Sequence, residues 1–356
     1  METTVNNELN QHVKGVSLWQ DAWRRLRKNK MAMFGLYTII FYAVISLFAP
    51  ILPIYSYKQQ VLGHQFLRPS FKPAGQLIYE KKSKFLHAMA AKEGRTELTA
   101  KENQELKDLK ESLATEKKKL LSGEEVLVNN RVYILGTDSL GRDLLSRIIY
   151  GGQVSIMIGL IGALASMFIG VVLGALSGYI GGRFDTLMMR FVDIMYSLPY
   201  ILLVIIFMAI FGRNIANLFF ALAIVSWLTV ARVVRGQVLS LKNSEFIEAA
   251  RSSGAGTARI VFKHLIPNTS GVIIVYTTLR VPAFIMLEAF LSFLGLGVQA
   301  PFASWGVLIQ DGVYAMTTYP WLLWFPAAAM TLFLFSMNFL GDGLRDALDP
   351  QSKNKL

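Results

Sequence analysis

The chain has 356 residues, 53% hydrophobic and only 17% charged, with a mean hydropathy of +0.42. The apolar residues are gathered in blocks rather than spread periodically, which excludes an ordinary soluble domain. Cysteine is absent, so disulfides and thiolate metal centres are excluded, and the net charge of +12 gathers beside the apolar blocks, as membrane flanks do, rather than as a nucleic-acid surface.

Residues 1–30 read as a cytoplasmic arm. Near its end Leu18, Trp19, Ala22, Trp23 and Leu26 recur at helical spacing, with Arg24 and Arg25 beside them. That pattern fits a helix lying in the membrane interface; a plain basic flank is the alternative. Residues 31–53 hold the first span, at 31–52, since a hydrocarbon core needs about 20 apolar residues per helix. The arm is too polar for a signal h-region, so this span is read as an uncleaved anchor.

Residues 54–150 are expected to form an external insertion and an interfacial helix. Pro69, Pro73 and Gly75 mark an irregular start. A charged helix is expected over 98–121, with Leu106, Leu113 and Leu120 at sevens, Leu109 between them, and a capping box from Thr99 to Glu102. Its apolar stripe is thin, so it needs a partner, for which 79–91 is the candidate; a partly disordered linker is the other reading.

Residues 151–340 form the membrane core, with spans at 154–176, 191–211, 218–234, 271–294 and 321–340, and a polar loop at 240–268; residues 341–356 are a cytoplasmic tail. The expected fold is therefore an all-α polytopic membrane protein with about six transmembrane helices. Lys and Arg cluster at Arg24–Lys30, at Arg183 and Arg190, from Arg232 to Lys263, and at Arg345, Lys353 and Lys355. These fall on one side if six helices alternate, which puts both termini and the 240–268 loop in the cytoplasm. The lysine-rich insertion does not obey this count, but loops beyond about 60 residues translocate largely regardless of charge. In the second span Gly162, Ser166, Gly170, Gly174, Gly178 and Gly182 recur every four residues, which lets another helix backbone approach closely.

Chemistry-bearing patterns are sparse. No G-x-x-x-x-G-K-[ST] stretch is present, so the chain does not cradle nucleotide in the P-loop manner. His12, His64, His87 and His264 form no metal-ligand spacing, and no nucleophile–base pair or catalytic carboxylate dyad is evident. No catalytic residue, metal or cofactor is expected on this chain, and it is read as a non-enzyme.

Arg280 and Glu288 lie inside the fifth span, roughly 12 Å apart along a helix and about 80° around it, so they are not expected to pair. Both are candidates for a translocation pathway, because ionisable groups inside a bilayer are costly. Arg280 either meets a substrate carboxylate, caps carbonyls freed by Pro282, or pairs with another subunit; Glu288 suits a gate or a subunit interface. Asp138, Arg142, Asp143 and Arg147 alternate in sign and are expected to form an ion-paired interfacial helix at an external gate, with a simple solvated helix as the alternative. Asp185, Arg190 and Asp193 are read as interfacial charges only.

The 240–268 loop contains Glu248-Ala249-Ala250, then Gly254 and Gly256, then His264-Leu265-Ile266-Pro267-Asn268, with a second helix expected over 258–265, before Pro267. It resembles the EAA loop by which membrane subunits of ABC importers engage their ATPases. The general pattern prefers an apolar residue where His264 stands, and a His there is common in the peptide-type branch. Other stretches resemble that branch too: Leu135-Gly136-Thr137-Asp138-Ser139-Leu140-Gly141-Arg142-Asp143 with Ser146 and Arg147, Glu288-Ala289-Phe290-Leu291-Ser292-Phe293-Leu294-Gly295-Leu296-Gly297, Ser304-Trp305-Gly306, and Gly341-Asp342-Gly343-Leu344-Arg345-Asp346-Ala347-Leu348-Asp349-Pro350. The chain is similar to the C-type permease of dipeptide, oligopeptide and nickel importers, a type I importer fold.

That resemblance implies ATPase docking through Glu248, Ala249, Ala250, Gly254, His264 and Pro267. It also implies a second, B-type permease, one or two ATPase subunits that carry the ATP, an external substrate-binding protein, and a bacterial inner membrane; no nucleic acid is implied. Residues 56–130 have no counterpart in the typical member. A self-contained secondary transporter or channel is the competing reading and requires an inverted repeat and charges at discontinuous helices. A membrane-anchored interaction protein is a third.

Overall fold

The computed structural model describes residues 18–348. Most of the N-terminal arm with His12, and Asp349, Pro350, Lys353 and Lys355 at the other end, lie outside the described residues. The chain opens with α1 (Leu18–Lys28) and α2 (Lys30–Phe48), joined at Asn29, whose carboxamide oxygen accepts from the backbone of Met31 and Ala32. Ala22 and Leu26 of α1 are buried against Ala32 and Ala347, while Trp19 and Trp23 stay exposed.

The insertion is folded. Helices α3 (Ala74–Lys92) and α4 (Ala100–Thr115) pair, with Leu77, Leu86, Ala90 and Leu106 buried and Lys82 bonded to Glu105 at 2.6 Å. Thr99 and Glu102 form the expected capping box. The helix expected to run to residue 121 stops at Thr115, however. Asn129 Nδ2 donates to the carbonyl of Leu113, occupying a last-turn acceptor, and also to Glu116. The chain then turns into a two-stranded hairpin, β1 (Lys117–Lys119) and β2 (Glu125–Leu127), closed by Gly123 at φ +90°. Beneath it His64 is buried, its Nε2 donating to Asn129 and its Nδ1 accepting from Tyr133.

The membrane core follows as α5 (Leu144–Ile180), α6 (Gly182–Ser197), α7 (Tyr200–Phe211), α8 (Ile215–Leu241), α9 (Glu245–Ser252), a composite run α10 (Thr257–Arg259, Ile260–Leu265 and Ile266–Asn268), α11 (Ser270–Phe293), α12 (Trp305–Ala315) and α13 (Trp321–Leu348). Five described helices, α2, α5, α8, α11 and α13, are long and apolar enough to cross a membrane, and α6 with α7 makes a sixth, bent pair. At 37 residues α5 is about 55 Å long, well beyond the hydrocarbon thickness of about 30 Å, so it begins ten residues before the expected start. Helix α13 likewise continues past residue 340 to Leu348.

Three expectations change in the core. The third span is not continuous over 191–211: α6 and α7 meet at 83°. Pro199 forces the preceding Leu198 into an extended conformation (φ −84°, ψ 137°), which a helix does not admit. Residues 138–143 are not helical; they form a tight loop bridging Thr137 to Asp143, and Asp143 caps α5 by accepting from the Ser146 amide. The helix expected to stop before Pro267 runs through it. Residues Ile260–Leu265 adopt a π turn, and Pro267 falls in the first turn of the α segment Ile266–Asn268 that follows, a position that tolerates a missing donor.

The small-residue row of α5 serves two neighbours. A Cβ on Gly159 or Gly162 would touch Val281, Phe284 or Ile285 of α11, and one on Gly170, Gly174 or Gly178 would touch α8. Gly182 stands outside the row, opening α6 with positive φ. At the insertion end, Trp305 knots four helices together. Its indole N–H donates to Ile148 O (3.1 Å), its amide donates to Ser155 Oγ (3.0 Å), and its ring packs against Tyr42 of α2 and Phe333 of α13.

Candidate functional site

The polar loop folds as a short helical element at the α5 end remote from the insertion. Helix α9 ends in a Schellman turn: Gly254 adopts φ +79° and the Ala255 amide donates to Ala250 O at 3.0 Å. Ile247 of α9 and Ile260, Val261 and Leu265 of α10 are buried among Val171 and Ala175 of α5, Val230, Val234 and Val238 of α8, and Ile273 of α11. The opposite face is open. Glu248, Ala249, Gly254 and Pro267 are exposed, Ala250 and His264 are half-buried, and Phe246, Arg251 and Phe262 lie exposed around them. The six sequence-named residues thus belong to one element with an apolar foot in the bundle and a mixed outer face.

A pair of ionic rungs joins α6 to α8, where the sequence alone predicts interfacial charges only. Arg235 grips Asp185 through Nε and Nη2, both at 2.5 Å, with Ser177 Oγ also donating to Asp185; Arg232 bonds Asp193 at 2.6 Å and covers the Tyr196 ring. The signal was the recurrence of Arg232 and Arg235 one turn apart opposite Asp185 and Asp193. Only the fold shows that α6 turns back along α8 to meet them.

Beside these rungs, where α6 breaks into α7, lies a cavity of about 260 Å³. It is lined by Tyr196, Leu198 and Tyr200 at the break, Ser226 and Thr229 of α8, and Arg280, Phe284 and Leu287 of α11. Tyr196 Oη and Thr229 Oγ1 bond each other. Glu288 is elsewhere: fully buried, its Oε1 accepts from Ser292 (2.6 Å) and Ser304 (2.7 Å), linking α11 to the start of α12. Arg280 and Glu288 do not meet, as their spacing required.

At the insertion end Asp138, Arg142 and Arg147 are brought together, with Asp311 of α12 as a fourth member absent from the sequence reading. Asp138 Oδ2 accepts from Arg142 Nε (2.7 Å) and Arg147 Nη1 (2.6 Å), and Arg147 lies 3.4 Å from Asp311. Asp138 and Arg147 are buried, whereas the Asp311 side chain is about half exposed. Asp143 belongs to the cap of α5 rather than to this cluster. No group of His, Asp and Glu able to hold a metal ion occurs among the described residues.

The family model for the binding-protein-dependent transport system inner membrane component matches residues 170–354, more than half of the chain. The chain belongs to that family. A second model, for the N-terminal transmembrane domain of oligopeptide transport permease C, matches residues 17–69. This permease is 39% identical over 353 residues to the dipeptide transport system permease protein DppC of Bacillus subtilis, covering 98% of this chain and 92% of that protein. It is 39% identical over 352 residues to the oligopeptide transport system permease protein OppC of Escherichia coli, covering 99% and 97%. Against OppC of Haemophilus influenzae the identity is 52% over 221 residues, 62% of this chain and 71% of that one. The matches cover all the spanning helices, so the multi-pass membrane architecture and the permease family agree.

Proposed function

We propose that this permease forms half of the translocation pathway of an ATP-driven, binding-protein-dependent importer for peptides, and that α9 with α10 docks a separate ATPase. The observation carrying the docking is the apolar foot of α9: Ile247 is buried among three spanning helices while Glu248 and Ala249 face outward. A load on the outer face then reaches the bundle through packed side chains rather than through a flexible loop. The peptide class rests on relatives named as dipeptide and oligopeptide permeases.

In this reading the second permease completes the pathway, one or two ATPases hold the ATP, and an external binding protein delivers substrate. Both termini and the docking element face the cytoplasm of a bacterial inner membrane. The Asp138–Arg142–Arg147–Asp311 cluster is part of the external gate, and Glu288 ties α11 to α12 beside it. Glu248, Ala249, Ala250, Gly254, His264 and Pro267 form or support the ATPase contact. A secondary transporter is the second reading, because the α6–α7 break beside Arg280 is a feature such transporters also carry.

Purifying the tagged chain from its native membrane in mild detergent separates the two. Stoichiometric recovery of a second permease and P-loop ATPases, with uptake abolished by Glu248→Arg, is the expected result. A chain recovered alone and active in vesicles without ATP would overturn the importer.

A further inference from the structure

The geometry points to Arg280 as the group that receives the C-terminal carboxylate of the transported peptide, an assignment that rests on the importer reading above. Arg280 is the eleventh of 24 residues in α11, about 15 Å from the nearer helix end and so near mid-membrane. A guanidinium stays charged, and at that depth it needs a counter-charge or water. Among the described residues no hydrogen bond or ion pair engages it.

None of the alternatives among the described residues serves it. Pro282 cannot donate to the Thr278 carbonyl, and no hydrogen bond from Arg280 takes that place. Glu288 is held through Oε1 by Ser292 and Ser304, and its unpartnered Oε2 lies about 12 Å along α11 from Arg280, out of contact; Asp193 and Asp185 are held by Arg232 and Arg235. Lipid phosphates sit roughly 15 Å from the bilayer centre, beyond an arginine's reach from this position. What Arg280 does face is the 260 Å³ cavity at the α6–α7 break, whose walls are aromatic and apolar apart from Ser226 and the Tyr196–Thr229 pair. The first amides of α7 also open at that break, since Pro199 provides no side-chain cap. A cavity with one unpaired guanidinium in an otherwise weakly polar wall suits a single carboxylate on an apolar chain end. It is too small for a whole peptide, so the rest of the ligand would extend along the pathway toward the second permease.

The test uses the complete complex in vesicles, supplied with a random pool of three- to six-residue peptides and the same pool amidated at the C-terminus. Imported peptides are read by mass spectrometry with the binding protein unchanged throughout. Wild type is expected to favour the free acids. Arg280→Gln lowers their uptake about tenfold, the effect of removing one charge-assisted hydrogen bond, while amide uptake changes less than twofold. Arg280→Lys retains part of the preference. Three results overturn the assignment: a wild type that does not distinguish the pools, an Arg280→Gln variant that loses both equally, or one that no longer co-purifies with the second permease and so reveals a subunit ion pair. Import of neither pool by the intact wild-type complex would instead remove the peptide-importer reading itself.

Discussion

Replacing Gly174 with Ala is the sharpest test of how the core is held. A Cβ there would lie 2.4 Å from the Ala231 carbonyl oxygen and 2.9 Å from Ala231 Cα, both backbone atoms of α8. Ordinary contact begins near 3.4 Å, so α5 and α8 must part by about 1 Å over the turns where they touch. Overpacking of this kind costs about 1–3 kcal/mol, and Ala's better helix propensity returns roughly 0.5–1 kcal/mol. The control is Gly236→Ala on α8, where a Cβ meets nothing within 4 Å and only the propensity gain applies. The two single-methyl variants should therefore differ by about 2 kcal/mol, or some thirtyfold in the folded-to-unfolded ratio. Thermal or denaturant melts in mild detergent, followed by tryptophan fluorescence, resolve that difference. Equal stability of the two variants would refute close α5–α8 contact as the source of cohesion. Gly178→Ala, at 2.9 Å from Arg235 O, should fall between them.

Trp305→Ala should lower stability by about 3–5 kcal/mol, while Trp305→Phe, which keeps most of the ring packing and loses only the indole bond to Ile148 O, should lose about 0.5–1.5 kcal/mol; the same melts rank them. Gly254→Ala meets no steric obstacle but places a side chain at φ +79°, so it should cost about 1–2 kcal/mol locally, read as faster amide exchange at 250–256. Burial holds the His64 imidazole below its ordinary 6.5, with Lys118 and Arg131 acting in the same direction and the Asn129 bond and Glu116 against. The unfolded segment therefore binds a proton that the folded one does not. Stability is flat above pH 6.5 and falls as pH drops from 6.5 toward the folded value, so exchange at 128–137 should accelerate over that window and His64→Gln should flatten it. Asp185→Asn and Arg235→Gln should each impair uptake and together do little worse, because they share one ion pair; additive losses would show that α6 and α8 do not depend on it.

The spanning helices were legible because each is an apolar block of the right length, and the polar loop because its glycines and Pro267 punctuate a short stretch. Asp138 and Arg142 looked like a helix because their four-residue spacing fits one, yet a loop closed by Thr137 and Asp143 brings them equally close. The hairpin at 117–127 was hidden because Asn129, which ends α4, acts from sixteen residues beyond Leu113. Asp311 and the Asp185–Arg235 rung were unreadable for the same reason: their partners lie 164 and 50 residues away in the chain. Local spacing reports what a helix can present, and only the packing decides what it meets.

Helix α8 carries at one end Val230, Val234 and Val238, on which the foot of α9 stands, and within the same turns Ser226 and Thr229, which wall the mid-membrane cavity. If α9 carries the proposed docking load, that load has no slack to take up before it reaches the cavity, because the foot's seat and the cavity wall belong to one rod. The machine should show little backlash: loosening the Ile247 socket ought to waste strokes, each cycle completed below without a matching movement above.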